Sequence, residues 1–142
     1  MITRQYIVDF ARSYKGVPYR HQGRSVAGLD CAGILVLLGE EIGFYSEKIE
    51  SRRYSRNPAS FKLKQEMDKH LIPISKQDIQ VGDVLLLKIT TDPQHIGIVT
   101  GYSAQSFGMI HCYDTVGRVV EHRLNRLWFE RIIQSYSIPG VK

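Results

Sequence analysis

The chain predicts an α+β fold, with helices first and an antiparallel sheet second. Three observations predict it. Apolar residues recur at helical spacing in the first part of the chain. After Pro73 the pattern changes to short apolar runs separated by turns. No internal repeat or low-complexity segment interrupts it, and 142 residues with 43% hydrophobic content suit one domain over 1–142 with one core.

Thr3 is placed to cap a first helix, behind which Ile7, Phe10, Ala11 and Tyr14 recur at helical spacing; Gly16 and Pro18 end it. Residues 16–30, GVPYRHQGRSVAGLD, read as a loop. A second helix is expected from about Asp30 or Cys31, with Ile34, Leu35, Leu38 and Ile42 as its buried stripe and Gly43 as its stop. Residues 44–57, polar and carrying SRRYSRN, read as a loop, and Asn57-Pro58 as the start of a third helix that reaches about His70 and closes at Pro73. VGDVLLLKI (81–89) turns at Gly82-Asp83 and enters a strand too apolar for two wet faces. HIGIVTG (95–101), MIHCYD (109–114) and RVVEHRL (118–124) are further strands, with Val116-Gly117 in a turn. The tail, LNRLWFERIIQSYSIP, reads as a helical turn and a last strand.

The formal net charge is +5, from 19 basic and 14 acidic residues. This suits an acidic polymer such as a cell wall, and would also suit nucleic acid, for which no recognition motif is visible. No run of 18 apolar residues exists, so membrane insertion is not expected. The opening, MITRQYIVDFARSYKG, lacks the apolar stretch of a secretory signal. The expectation is cytoplasmic synthesis without a cleavable export address, with another route supplying delivery to any target outside. Two cysteines do not make a disulfide framework.

Cys31 stands where a loop becomes a helix. A helix N-terminus carries free N–H groups and partial positive charge, which favour the nucleophilic thiolate. A small buried core residue is the alternative reading. His95, opening a strand, is a candidate base, and its second ring nitrogen needs an orienting partner. His111 lies on the next strand; direct pairing with His95 would centre the hairpin on residue 103, inside the polar GYSAQSFG turn, and put both rings on one face. Two ordinary strand histidines are the alternative. Glu121 is a substitute orienting group. Cys112, beside His111, should point to the opposite face as a core cysteine, and His70 and His122 read as surface residues. Arg52, Arg53 and Arg56 with Tyr54 read as a solvated loop, with contact to an acidic polymer as the alternative.

The run YKGVPYRHQGRSVAGLDCAGILVLLGEEIG resembles the signature of NlpC-type peptidases, G-x-P-Y-x-W-G-G, a short spacer, and D-C-S-G opening a helix. IQVGDVLLLK resembles the family's L-x-x-G-D-L strand, QHIGIVTG its H-V-G-I-Y block, and MIHCYD its F-I-H-A block, all in the family's order. The resemblance implies a minimal papain-like fold and a cysteine endopeptidase that cleaves amide bonds in peptidoglycan stem peptides, typically next to D-glutamate or a diamino acid. It implies a Cys31-His95-His111 triad working through a thioester, with no cofactor and no metal. Tyr19 matches the family's tyrosine near the cysteine; its hydroxyl and the Cys31 N–H would donate to the oxyanion, or Tyr19 is a packed loop aromatic. Asp30 would cap the helix, hold the loop or touch a substrate amine. His21-Gln22-Gly23 in place of W-G-G, Ala32 in place of serine and a longer hairpin mark a divergent branch. D-C-A-G without a signal peptide or wall-binding repeats is similar to phage-tail-associated peptidases, which suggests a phage-tail partner. Three alternatives stand beside this reading. One is an amidase, deamidase or acyltransferase on the same fold. Another is a catalytically idle tail or assembly component. The last is a zinc site made by Cys31, His95 and His111.

Overall fold

The computed structural model describes residues 2–44, 62–89, 93–112 and 115–142. The expected loop from residue 45 on, with Arg52, Arg53, Tyr54 and Arg56, and the Asn57-Pro58 helix start lie outside the described residues.

Helix α1 (Arg4–Arg12) begins as its sequence predicts: Thr3 Oγ1 accepts the Tyr6 N–H at 3.0 Å, satisfying one of the free donors of the first turn. Ile7, Val8 and Ala11 are buried, and Phe10 and Tyr14 pack at the margin. The segment expected to be loop holds a small antiparallel hairpin, β1 (Arg24–Ser25) and β2 (Gly28–Leu29). Helix α2 (Gly33–Ile42) buries Ile34, Leu35, Val36 and Leu38, and Gly43, at φ +85°, provides the left-handed residue that ends it. Its start is two residues beyond Cys31, later than the sequence suggests, because the Asp30 carboxylate takes the Ala32 N–H at 3.1 Å and forms a separate turn first.

Helix α3 (Lys62–His70) ends before Pro73 is reached. Pro73 lies in β3 (Ile72–Ile74), a strand at the edge of the sheet, where a missing N–H is tolerated. The remaining elements are β4 (Val84–Lys88), β5 (Pro93–Ser103), β6 (Ser106–Cys112), β7 (Val119–Arg123), the short helix α4 (Arg126–Glu130) and β8 (Ile132–Ser137). They form a six-stranded sheet in the order β3-β8-β4-β5-β6-β7, antiparallel throughout. The last strand therefore inserts between β3 and β4.

Both faces of this sheet are covered. On one face Val84, Leu86, Ile96, Ile98, Ile110, Cys112 and Val119 pack against Ile7 and Ala11 of α1 and Ile34, Leu35 and Leu38 of α2. On the other, Leu85, Leu87, Val99, Met109 and Ile132 pack with Ile79, Trp128 and Phe129. Two covered faces explain why VLLLK lacks alternation: each of its four apolar residues is buried. Among the described residues, no helix is long and apolar enough to cross a membrane.

Two carboxylates tie α1 to the sheet. Buried Asp83 accepts from Arg4 at 2.6 Å and from the Gln80 N–H at 2.8 Å. Glu121 accepts from Arg12 at 2.9 and 3.1 Å, from Lys15 at 3.2 Å and from Thr100 Oγ1 at 2.8 Å. Burial alone would raise the Glu121 pKa, but these hydrogen bonds, Arg12 first, outweigh it and hold the group down at about 2. A carboxyl whose folded pKa lies below its ordinary 4.5 binds fewer protons in the native state. Its stabilisation is complete above that value and is lost as the pH falls towards about 2. Glu121→Gln is expected to cost about 2 kcal/mol at neutral pH. It should also flatten the fall in stability across that acid window, as read by urea unfolding at a series of pH values. An acid slope as steep as that of the unmodified protein would refute the assignment.

Candidate active site

The site is built on the β5–β6 hairpin. Gly97 stands opposite His111, and a tight turn at Ala104-Gln105, closed by Ser103 opposite Ser106, joins the strands. The hairpin is thus centred at 104, one residue later than direct opposition of His95 and His111 requires. The displacement moves His111 two positions along β5. A shift of two preserves the face, so the two histidines remain on the same side as diagonal neighbours. Gly97, between them on that face, interposes no side chain, and His95 Nε2 meets His111 Nδ1 at 2.7 Å. The rings are edge to face, with centroids 4.9 Å apart.

A third histidine continues the line. His111 stands opposite Val120 of β7, which makes His122 its diagonal neighbour, and His111 Nε2 lies 2.7 Å from His122 Nε2. His122 is half-buried rather than a surface residue as expected, and its Nδ1 lies 2.8 Å from the Arg123 carbonyl oxygen. Trp128 of α4 packs on all three rings, with centroids 4.9 Å from His111, 5.4 Å from His122 and 6.4 Å from His95. The Arg131 guanidinium covers Trp128 at 4.6 Å. Neither His122 nor Trp128 is marked as a site residue by the sequence. The one available signal for His122 was its parity on the strand, and parity selects a face only once the β6–β7 register is known.

His95 and His111 are almost fully buried. Burial lowers the pKa of His95 to about 3, helped by the positive charge of Arg131 and by His122. Burial lowers that of His111 to about 2, helped by the two flanking histidines. Both imidazoles are therefore neutral at physiological pH.

Cys31 is half-buried in the turn between β2 and α2. Its thiol pKa is pushed up, first by burial and then by the neighbouring Asp30 carboxylate, with Arg24 opposing. The expectation that a helix start would favour the thiolate is not met. The helix begins two residues further on, and desolvation with an adjacent negative charge outweighs the opposing charge of Arg24. Neither cysteine is in a disulfide, and Cys112 is a core residue on the helix-covered face, as expected. Its Sγ–H donates to the Leu29 carbonyl at 3.3 Å, which fastens the strand leading to Cys31 onto the end of the strand carrying His111.

Asp30 holds the loop. It is buried and accepts from Arg24 at 2.7 Å, from the Gln22 N–H at 3.1 Å and from the Ala32 N–H at 3.1 Å. Tyr19 is half-buried against the helix-side core; its N–H donates to the Gly117 carbonyl at 2.8 Å, and it bridges to Leu29. Thus His95 and His111 meet directly, while Tyr19, Asp30 and Cys31 share a segment that Leu29 and Cys112 pin to β6. Glu121 faces α1 and is occupied by Arg12, Lys15 and Thr100, so it does not orient His95. Among the described residues, no group of three or more His, Cys, Asp and Glu is arranged to hold a metal ion. The two ring-to-ring hydrogen bonds engage both nitrogens of His111.

This chain is 25% identical over 129 residues to the murein DD-endopeptidase MepS/murein LD-carboxypeptidase of Escherichia coli strain K12. The match covers 91% of this chain and 60% of that protein, so the chain spans less than two thirds of the curated relative's length. Among solved structures, it is similar to the NlpC/p60 domain of the peptidoglycan hydrolase SagA, with a TM-score of 0.67 at 19% identity over 96% of this chain and 100% of that one. It is also similar to an NlpC/P60 family protein from Bacillus cereus, with a TM-score of 0.70 at 18% identity over 96% of this chain and 40% of that one. The peptidoglycan hydrolase RipB from Mycobacterium tuberculosis aligns with a TM-score of 0.66 at 17% identity over 95% and 64% of the two chains. These likenesses establish the papain-like α+β fold. The model of the NlpC/P60 family matches residues 16–136, and the chain belongs to that family.

Proposed function

We propose that this domain is a cysteine endopeptidase that hydrolyses amide bonds in peptidoglycan stem peptides, with Cys31 as nucleophile, His95 as base and His111 as the group that orients the base. The observation that carries the reading is the 2.7 Å contact between His95 Nε2 and His111 Nδ1. It engages the far nitrogen of His95, which assigns Nδ1 to the thiol. Family membership and the murein peptidase named among the relatives support the substrate class.

With a raised thiol pKa and a lowered imidazole pKa, the resting pair is neutral. The proton then moves as the bond forms. Cys31 Sγ attacks the scissile carbonyl carbon and its proton passes to His95 Nδ1. The tetrahedral oxyanion is met by the Cys31 N–H and the Tyr19 hydroxyl. Collapse expels the amine, which takes the proton from His95, and leaves a thioester on Cys31. Water, deprotonated by His95, attacks the thioester; the acid departs and the thiol regains its proton. The transient imidazolium needs an acceptor at Nε2, and His111 Nδ1 provides it. Asp30 serves the same reaction indirectly, by holding the backbone on either side of Cys31 in shape.

Incubation with purified muropeptides, with products identified by mass, tests the reading directly. Cleavage within the stem peptide is expected, and intact muropeptides would overturn it. Cys31→Ala is expected to abolish hydrolysis and to leave the thermal unfolding temperature within a few degrees, since one sulfur of a half-buried side chain is removed; full activity in that variant would refute the nucleophile.

His111→Ala should retain activity below the unmodified protein and above Cys31→Ala, because a thiol–imidazole pair still forms without its orienting group. The contact is made through Nδ1, which is as many bonds from Cα as the amide oxygen of asparagine. His111→Asn should therefore recover more of the rate than His111→Gln. A rate series on one muropeptide reads this order, and unmodified rates in His111→Ala would reduce His111 to a strand residue.

A further inference from the structure

We propose that His122 is a positioning residue that decides which nitrogen of His95 is the base. The proposal rests on the cysteine hydrolase reading above and adds to it a device anchored on a backbone carbonyl.

The proton positions are set from the edge of the sheet inward. A carbonyl oxygen only accepts, so the 2.8 Å contact between His122 Nδ1 and the Arg123 oxygen places the His122 proton on Nδ1. In neutral His122, Nε2 is then a bare acceptor. The atom facing it at 2.7 Å is His111 Nε2, which must carry the proton and donate. Neutral His111 is left with a bare Nδ1, which accepts at 2.7 Å from His95 Nε2. His95 therefore holds its proton on Nε2 and carries its lone pair on Nδ1, the nitrogen assigned to the thiol. Each step is forced by the one before it, because a neutral imidazole has one donor and one acceptor.

The contact between His95 and His111 does not by itself set the direction of the proton, and in the reversed sense His95 carries its proton on Nδ1 and has no lone pair there for Cys31. Burial keeps His95 and His111 neutral, so the polarity between them is not scrambled by protonation. Trp128, packed on all three rings, holds them against rotation out of line.

Three substitutions and one spectrum test the proposal. In His122→Gln the amide oxygen reaches the position of Nε2 and still accepts, so kcat should stay within about threefold. His122→Ala removes the acceptor and should lower kcat roughly 10- to 100-fold with KM little changed. His122→Lys offers only donors, reverses the line and should be slower than His122→Ala. Long-range 1H–15N correlation spectra of the unmodified protein should show His122 protonated on Nδ1, and His111 and His95 on Nε2. In His122→Lys, His111 and His95 should both be protonated on Nδ1. Equal kcat in all four proteins, losses that merely follow the unfolding temperature, or His111 protonated on Nδ1 in the unmodified protein would each overturn the proposal. The spectra do not depend on turnover. Inactivity on every muropeptide would count against the hydrolase reading, while the ring-nitrogen pattern would still decide this one.

Discussion

The pairing of β5 with β6 is the constraint on which the site depends. Gly97 opposite His111 puts His95, His111 and, through β7, His122 on one face of the sheet. A slip of one residue in any of these pairings would carry a histidine to the other face, into the core shared with α1 and α2. Alternating polarity does not hold this register, because both faces are apolar. It is held by the tight turn between Ser103 and Ser106, whose hydroxyls meet at 2.7 Å, and by close packing further along. At Gly108, opposite Thr100, a Cβ would stand 2.7 Å from Thr100 Oγ1. Only glycine leaves the room in which Thr100 reaches Glu121, and Glu121 in turn secures α1 through Arg12. The register and the docking of the first helix thus share a contact.

The same sheet explains how three polar rings are tolerated in an apolar setting. Each ring-to-ring contact satisfies a donor with an acceptor, and the line ends on a carbonyl. A satisfied chain of neutral groups escapes most of the desolvation cost that a buried charge would incur. Burial also sets the chemistry. It holds His95 neutral and the Cys31 thiol protonated, which in the proposed mechanism confines charge separation to the moment of attack. The cover comes from Trp128 and Phe129 of α4 and from Ile132 of β8, elements that follow the whole site in sequence.

The loop before Cys31 shows how a departure from the family pattern is absorbed. Where the family signature has its first glycine of W-G-G, this chain has Gln22, at φ +59°. That backbone conformation favours glycine, and a side chain there is strained. The Gln22 N–H donates to Asp30, and Asp30 also binds Arg24 and the Ala32 N–H, so the loop is held from several sides. The buried Arg24–Asp30 pair therefore maintains a strained turn as well as neutralising a charge. Its carboxylate is also one of the charges that raise the Cys31 thiol pKa.

Much of this protein was legible along the chain. The Thr3 cap, the stripes of α1 and α2, the Gly43 stop and the strands over 84–88, 95–101, 109–112 and 119–123 follow from local periodicity and turn chemistry, which act over a few residues. The motif blocks were enough to name the family and the candidates Cys31, His95 and His111. Other features depended on long-range packing. The insertion of β8 between β3 and β4, and Pro73 on an edge strand instead of at a helix end, depend on which strands bury one another. The start of α2 beyond Cys31 was decided by an aspartate that bonds across its own loop. The place of His122 in the site was decided by a register, since residues 11 apart in sequence become neighbours only when β6 and β7 pair. Local sequence determines which elements form and which residues have the chemistry. Tertiary pairing alone decides which nitrogen faces which, because a hydrogen bond between distant side chains depends on ångström-scale register that no short stretch of chain contains.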